Sequence, residues 1–213
     1  ADAKPASPPA TLLAQPVAPL VVDALTAGSE MGRWLSTKGK WERRPDGLRG
    51  EEVEADKHNA VNRLGQPLGD FVFACEFRFD GAKGFSFSVN DPKEHLTRVL
   101  LTPTSFTARK DDRDKKGPDV AVNYRTETVK LDPGTWHSLV VEMVGDTFVA
   151  TLDGKVTAVG THELFRGPKV SPGFTVDGAA VTFRNVAVWS ARPEPKPDWK
   201  ARRDALAGAT SAK

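Results

Sequence analysis

The sequence has a single cysteine, Cys75, among its 213 residues. One thiol excludes an intrachain disulfide and any zinc site built from cysteines. Its place in a strand-like run marks it as a small buried apolar residue rather than a nucleophile. Apolar runs are short, and none approaches the ~18 residues that span a bilayer as a helix. An excess of one charge is also missing. Lys plus Arg number 30 against 28 Asp plus Glu, a net charge of +2. The two signs are interleaved, without the concentrated basic stripe and interspersed aromatics that nucleic-acid binding uses. The four histidines form no His-x-His or His-x-x-x-His pair, so no transition-metal site is signalled. Between residues 20 and 190 no segment repeats its apolar residues at the helical period.

What is present is alternation. Phe71, Phe73, Cys75, Phe77 and Phe79 alternate with Val72, Ala74, Glu76 and Arg78. That period of two predicts a half-buried strand with its Phe row inward. Asp80-Gly81-Ala82-Lys83-Gly84 reads as a turn, followed by Phe85, Phe87 and Val89 alternating with Ser86, Ser88 and Asn90. The two segments predict a hairpin with one aromatic and one polar face. Arg98–Thr102 and Phe106–Lys110 flank Pro103-Thr104, and Trp136–Val144 and Thr147–Asp153 flank Gly145-Asp146. Asp153-Gly154 leads to Lys155–Val159, and Asp177-Gly178 separates Phe174–Val176 from Val181–Val188. Many short strands with turn residues between them predict an all-β, two-sheet antiparallel sandwich. A sandwich of this size buries about 70% of the surface of its unfolded chain, enough to dispense with staples.

The ends read differently. Residues 1–19 carry Pro5, Pro8, Pro9, Pro16 and Pro19 and little charge, the composition of a flexible tether. The Ala-, Pro- and Ser-rich start is what cleavage of a signal peptide leaves, so a secreted or periplasmic location is expected. The sandwich is placed at 20–190, and 191–213 reads as a Pro-rich linker and tail. A helix is predicted over 198–207, started by Pro197 and Asp198 and ended by Gly208, as a marginal C-terminal appendage.

Gly39-Lys40-Trp41-Glu42, Asp46-Gly47-Leu48, Phe79-Asp80-Gly81-Ala82-Lys83, His95-Leu96-Thr97-Arg98-Val99, Pro133-Gly134-Thr135-Trp136-His137, Leu152-Asp153-Gly154 and Val181-Thr182-Phe183-Arg184-Asn185-Val186 occur in that order. Together they resemble the concanavalin A-like and laminin G-like jelly rolls, and within them the 3-keto-disaccharide hydrolase-like family. The resemblance implies a jelly-roll fold, export, a carbohydrate or glycan ligand and hydrolysis of (3-keto-)glycosides. A non-catalytic glycan- or protein-binding module is the alternative, since fold does not dictate function. Two departures stand out. Where that family often carries Gly-Asn-Ser-Gly, this chain has Lys83-Gly84-Phe85-Ser86. The related family-sixteen glycoside hydrolases carry Glu-x-Asp-x-x-Glu, whereas Glu54-Ala55-Asp56-Lys57-His58-Asn59 ends in an amide that cannot titrate.

Glycoside cleavage by the common route needs two carboxylates about 5–10 Å apart. The candidate catalytic residues are Glu76, Asp80, His95 and Arg98, with one carboxylate or His95 as acid/base and Arg98 polarising the sugar. His58, Arg78, Ser88 and Asn90 are candidate ligand-binding residues. Across the 71–90 hairpin Glu76, Arg78 and Asp80 are expected to oppose Ser86, Ser88 and Asn90 on one polar face, which is either a sugar floor or solvated surface. His137 shares a face with Leu139, Val141 and Met143, the setting of a hydrogen-bonded core histidine. Asp111–Asp119 has the look of a calcium loop, but its interspersed cations and missing glutamate favour a solvated turn, and no cofactor is expected. Trp41 and Trp136 are read as strand residues covering the core's edges, and Trp34 and Trp189 as partly exposed.

Overall fold

A computed structural model describes residues 7–29, 32–112 and 114–211. Antiparallel strands account for most of it. They are β1 (Ala14–Asp23), β2 (Trp34–Lys38), β3 (Lys40–Arg44), β4 (Gly47–Glu51), β5 (Ala60–Leu64), β6 (Phe71–Asn90) and β7 (His95–Thr102). After them come β8 (Ser105–Lys110), β9 (Val122–Thr128), β10 (His137–Val144), β11 (Thr147–Leu152), β12 (Val156–Thr161) and β13 (Val170–Pro193), and one helix, α1 (Trp199–Ser211).

β6 and β13 pair along almost their whole lengths, from Phe71 opposite Ser190 to Asn90 opposite Val170. This ribbon passes through both layers of the sandwich. Its 71–79 and 181–190 halves form the middle of the first sheet, continued by β10-β11-β12 on one side and by β4-β3 and β1 on the other. The 85–90 and 170–177 halves form the middle of the second sheet, continued by β7-β8-β9 and by β5-β2. Between the halves the register slips at Asp177/Gly178, Gly178/Ala180 and Ala180/Val181. At that level Gly81 (φ +103°) and Gly178 (φ +83°) adopt backbone angles that side chains resist.

The bend brings the two Phe rows face to face. Phe73 and Phe87 are 14 residues apart, about 46 Å along a flat strand, yet their ring centroids lie 4.1 Å apart. Phe174 and Phe183 stack at 3.9 Å, and Phe77 meets Phe85 edge-on at 4.7 Å. The jelly-roll sandwich expected from the alternation is present. The hairpin is not: 71–90 is one bent strand, and Asp177-Gly178 is a bulge in β13 rather than a turn.

Chain ends also differ from the expectation. β1 starts at Ala14, inside the segment read as a tether, whose residues 1–6 lie outside the described residues. As an edge strand, paired among the described residues with β13 alone, β1 tolerates Pro16 and Pro19 at register shifts. Buried Glu142 accepts hydrogen bonds from the backbone N–H groups of Leu12 (2.9 Å), Leu13 (2.9 Å) and Ala14 (2.7 Å). Burial pushes its carboxyl above the ordinary range, against the pull of those three donors. Trp199 Nε1 of α1 donates to the Leu13 carbonyl (2.8 Å), so both ends lie against the first sheet. Trp34 and Trp189 are buried, correcting their reading as partly exposed. Trp34 lies parallel to Phe174 and donates to Asp23.

Asp23 closes one corner. Its carboxylate forms a bidentate pair with Arg43 (2.8 and 2.9 Å) and accepts from the Leu25 N–H (2.7 Å). Both side chains of the pair are only 9% exposed. Burial alone raises the Asp23 carboxyl, but the Arg43 and Leu25 donors outweigh it and hold the group below its ordinary value of 3.8. A lowered folded value means stability present above pH 3.8 and lost as pH falls through the folded value. Asp23→Asn is expected to cost about 2–4 kcal/mol near neutral pH, with the difference from wild type shrinking below pH 3.8 in urea unfolding. Gly81→Ala is expected to lower stability by about 1–2 kcal/mol through its positive φ. Gly69→Ala, with open space around the new methyl, should stay within about 0.5 kcal/mol of wild type. Equal urea midpoints for the two glycine variants would contradict a strained corner.

Candidate functional site

Because the inner faces of the two sheets meet, their outer faces point in opposite directions. Glu76, Arg78 and Asp80 lie on the outside of the first sheet, and Ser88 and Asn90 on the outside of the second. The single polar face expected from a hairpin therefore does not exist. Packed sheets are about 10 Å apart, so an outward carboxylate on one and His95 on the other exceed the separation of either glycosidase geometry. The candidate catalytic set divides into Glu76 and Asp80 on one side and His95 and Arg98 on the other.

On the first sheet the charges satisfy one another. Glu76 accepts from Arg184 Nε (2.9 Å) and Nη2 (3.1 Å) and from Asn185. Arg78 Nε donates to Asp80 (2.8 Å) and its Nη2 to Asp46 (2.9 Å), while Thr182 donates to Asp80. The Arg184 hydrogen bond is the main cause holding the Glu76 carboxyl below the ordinary range. For Asp80, burial opposes but the Arg78 and Thr182 donors prevail, and the shift is again downward. Neither is tuned upward as a general acid at neutral pH requires. Trp136, which precedes β10 rather than lying in it, is covered by Arg184 at 3.8 Å and Arg78 at 4.8 Å from its ring centroid.

The second sheet carries a cleft of about 680 Å3. Four of the predicted residues line it: His58, Asn90, His95 and Arg98. His95 Nδ1 lies 2.6 Å from Asn90 Oδ1. The rest of the floor is set by strand register. Arg63 pairs with Gly173, Gly173 with Ser88, Ser88 with Arg98, and Arg98 with Arg109. These residues make one cross-strand row over β5, β13, β6, β7 and β8. Gly173 has no room for a side chain, since an added methyl would meet the Arg63 chain at 2.8 Å. Arg63 Nη1 reaches Ser88 Oγ at 2.6 Å. Ser88 is thus beneath Arg63, 1% exposed, and acts on the cleft through it.

Asp111 organises the other end of the row. Arg98 Nε lies 3.0 Å from Asp111 Oδ2, and Arg109 Nε and Nη2 each lie 2.5 Å from Oδ1. The carboxylate is 3% exposed, and its two guanidinium partners are about a quarter and a third exposed. Arg63, Arg109 and Asp111 were not among the expected site residues. The Arg98–Arg109 opposition follows from the Pro103-Thr104 turn, whose two-residue hairpin fixes the register.

His137 is the hydrogen-bonded core histidine expected, with Nδ1 2.8 Å from Asp153 and its ring 5.6 Å from Phe77. In the acidic run, Asp112 and Asp119 have carboxylate oxygens within 4.8 Å of one another and of Glu94, a spacing that suits a cation. Those carboxylates already accept from Lys115 N, Lys110 Nζ and Asp114 N, each at 2.9 Å. Arg113 of this run lies outside the described residues.

No family model and no curated protein matches the chain. Solved structures do. A carbohydrate-binding module, CBM66, of Bacillus subtilis superposes with a TM-score of 0.59 at 18% identity, over 76% of this chain and 98% of that one. Crh5 transglycosylase in complex with NAG gives 0.59 at 12% identity, over 83% and 88%. Porphyranase B from Zobellia galactanivorans gives 0.59 at 10%, over 88% and 97%. At these identities the likeness establishes the jelly-roll fold.

Removing the carboxylate between Arg98 and Arg109 would leave two guanidiniums facing each other. Asp111→Asn is expected to destabilise the protein by about 1–3 kcal/mol, and 1 M salt should recover part of that loss by screening. A loss unchanged by salt would contradict the clamp.

Proposed function

We propose that the chain is a carbohydrate-binding module that takes a glycan in the cleft of the second sheet. The observation that carries this reading is the convergence of His58, Asn90, His95 and Arg98, with Arg63 and Arg109, on one outer face. All but His58, which lies in the loop before β5, are hydrogen-bonding groups on strands, the arrangement a binding site requires. The jelly rolls it superposes on include a carbohydrate-binding module, a transglycosylase and a porphyranase, which supports a sugar as the ligand. Such a ligand would place the protein outside the cytoplasm.

Two features favour binding over hydrolysis. Glu76 and Asp80 lie on the far face, and of the two carboxylates lining the cleft, Asp111 is committed to two arginines. The retaining and inverting routes both need a pair of working carboxyl groups. A second reading, hydrolysis of (3-keto-)glycosides as the family resemblance implies, is favoured by one contact. His95 is oriented by Asn90 within the cleft and near Arg98, an arrangement that suits an acid/base working without a carboxylate pair.

The test is affinity electrophoresis against a panel of soluble polysaccharides, with reducing-end and 3-keto-disaccharide turnover assays run alongside. Retardation by at least one polysaccharide is expected, abolished by Asn90→Ala/His95→Ala and retained in Glu76→Gln. Retardation lost in Glu76→Gln but kept in the double variant would place the ligand on the wrong sheet and overturn the reading. Turnover that disappears in His95→Asn would replace the binding module with the hydrolase.

A further inference from the structure

We infer that the ligand of the cleft is an anionic saccharide, one bearing carboxylate or sulfate groups. This rests on the glycan reading above and specifies its chemical class. Among the described residues, Lys38, Arg63, Arg98, Arg109 and Lys115 line the cleft with two carboxylates, Asp111 and Asp112. Lys38 is set against Asp56, 4.0 Å away, and Asp119 against Lys110. With Lys115 also set against Glu94, whose carboxylate lies beside that of Asp112, the excess narrows to Arg63, Arg98 and Arg109 against Asp111 and Asp112. A cleft lined by one sign of charge focuses its field on whatever enters. The whole chain, at +2, carries no such bias. The excess is a property of this face.

Among the described residues the lining has no Phe, Tyr or Trp, and Val61 is its one aliphatic residue. Ligand pockets ordinarily bury apolar surface and use a few polar groups for orientation. Here that contribution is missing, and affinity has to come from charge and hydrogen bonds. A neutral sugar would cover the cations with hydroxyl groups alone, and desolvating charge without a counter-charge is unfavourable. Carboxylate and sulfate groups match the guanidinium fork and give shorter, stronger charge-assisted bonds. Asp111 contributes by position. Holding Arg98 and Arg109 from below, it limits the side-chain freedom that two long cations would otherwise lose on binding. Gly173 and Ser88 do the same for Arg63 at the other end of the row.

The test is isothermal titration with matched pairs: trigalacturonate and its methyl ester, and a sulfated galactose oligosaccharide and its desulfated form. Tighter binding of at least one charged member, by about tenfold or more over its neutral partner, is expected. That advantage should fall by about tenfold between 50 and 500 mM NaCl. Arg63→Gln and Arg98→Gln should each weaken the charged member about tenfold, while Lys155→Gln, in the β11–β12 turn of the other sheet, changes nothing. Circular dichroism and urea midpoints confirm that the variants are folded. The pair that responds distinguishes carboxylated from sulfated sugars. Equal binding of charged and neutral members would overturn the inference and leave the glycan reading standing. Charged-ligand binding that both arginine variants retain would overturn it as non-specific attraction elsewhere. No binding of any saccharide would remove both.

Discussion

The structure depends on a fold in a ribbon. β6 and β13 run together through both sheets, and the bend at Gly81 and Gly178 lays the two halves of each strand against one another. Each buried Phe removes enough apolar area to contribute about 1.5–3 kcal/mol. Phe73, Phe77, Phe79, Phe87, Phe174 and Phe183 all come from this ribbon and are all essentially inaccessible to solvent. A core assembled this way holds two sheets together without a disulfide, which the lone buried Cys75 could not supply. It also decides what lies outside. Every polar residue that alternates with a Phe is sent to one of two outer faces, according to which side of the bend it occupies.

The two outer faces treat charge in opposite ways. On the first sheet the carboxylates of the candidate set meet arginines, as in Glu76–Arg184 and Arg78–Asp80, and both arginines lie over Trp136. Partners are exhausted within the face, and little remains for a ligand. On the second sheet three arginines share a cross-strand row with one clamping carboxylate, Asp111, and the cleft is left cationic. That difference in balance, together with the cleft, separates a self-satisfied surface from one that attracts a partner.

Much of this was legible in the residues, and the gaps have physical causes. The alternation from Phe71 to Phe79 fixes a strand and its buried side, because a period of two has one structural meaning. Asp80 to Gly84 is different. Glycine-rich turn residues serve an in-plane hairpin and an out-of-plane bend equally well, and only the long partner strand at 170–193 distinguishes them. The choice carries consequences, since it moves Ser88 and Asn90 to the face opposite Glu76 and Asp80. His137 was readable from its Leu, Val and Met neighbours. Residues 14–19 were not, because their prolines suit both a tether and an edge strand, and the anchor that decides, Glu142, lies some 130 residues away. Arg63 was missed for a similar reason: its contact with Ser88 crosses a glycine on a third strand.

The central claim is that the ligand occupies the cationic row of the second sheet, and mapping backbone amide shifts by NMR tests it most directly. On titration with trigalacturonate, perturbations are predicted to cluster at 61–63, 88–90, 95–98 and 109–112. Perturbations centred instead on 76–80 and 182–185, around Trp136, would place binding on the first sheet and contradict the account.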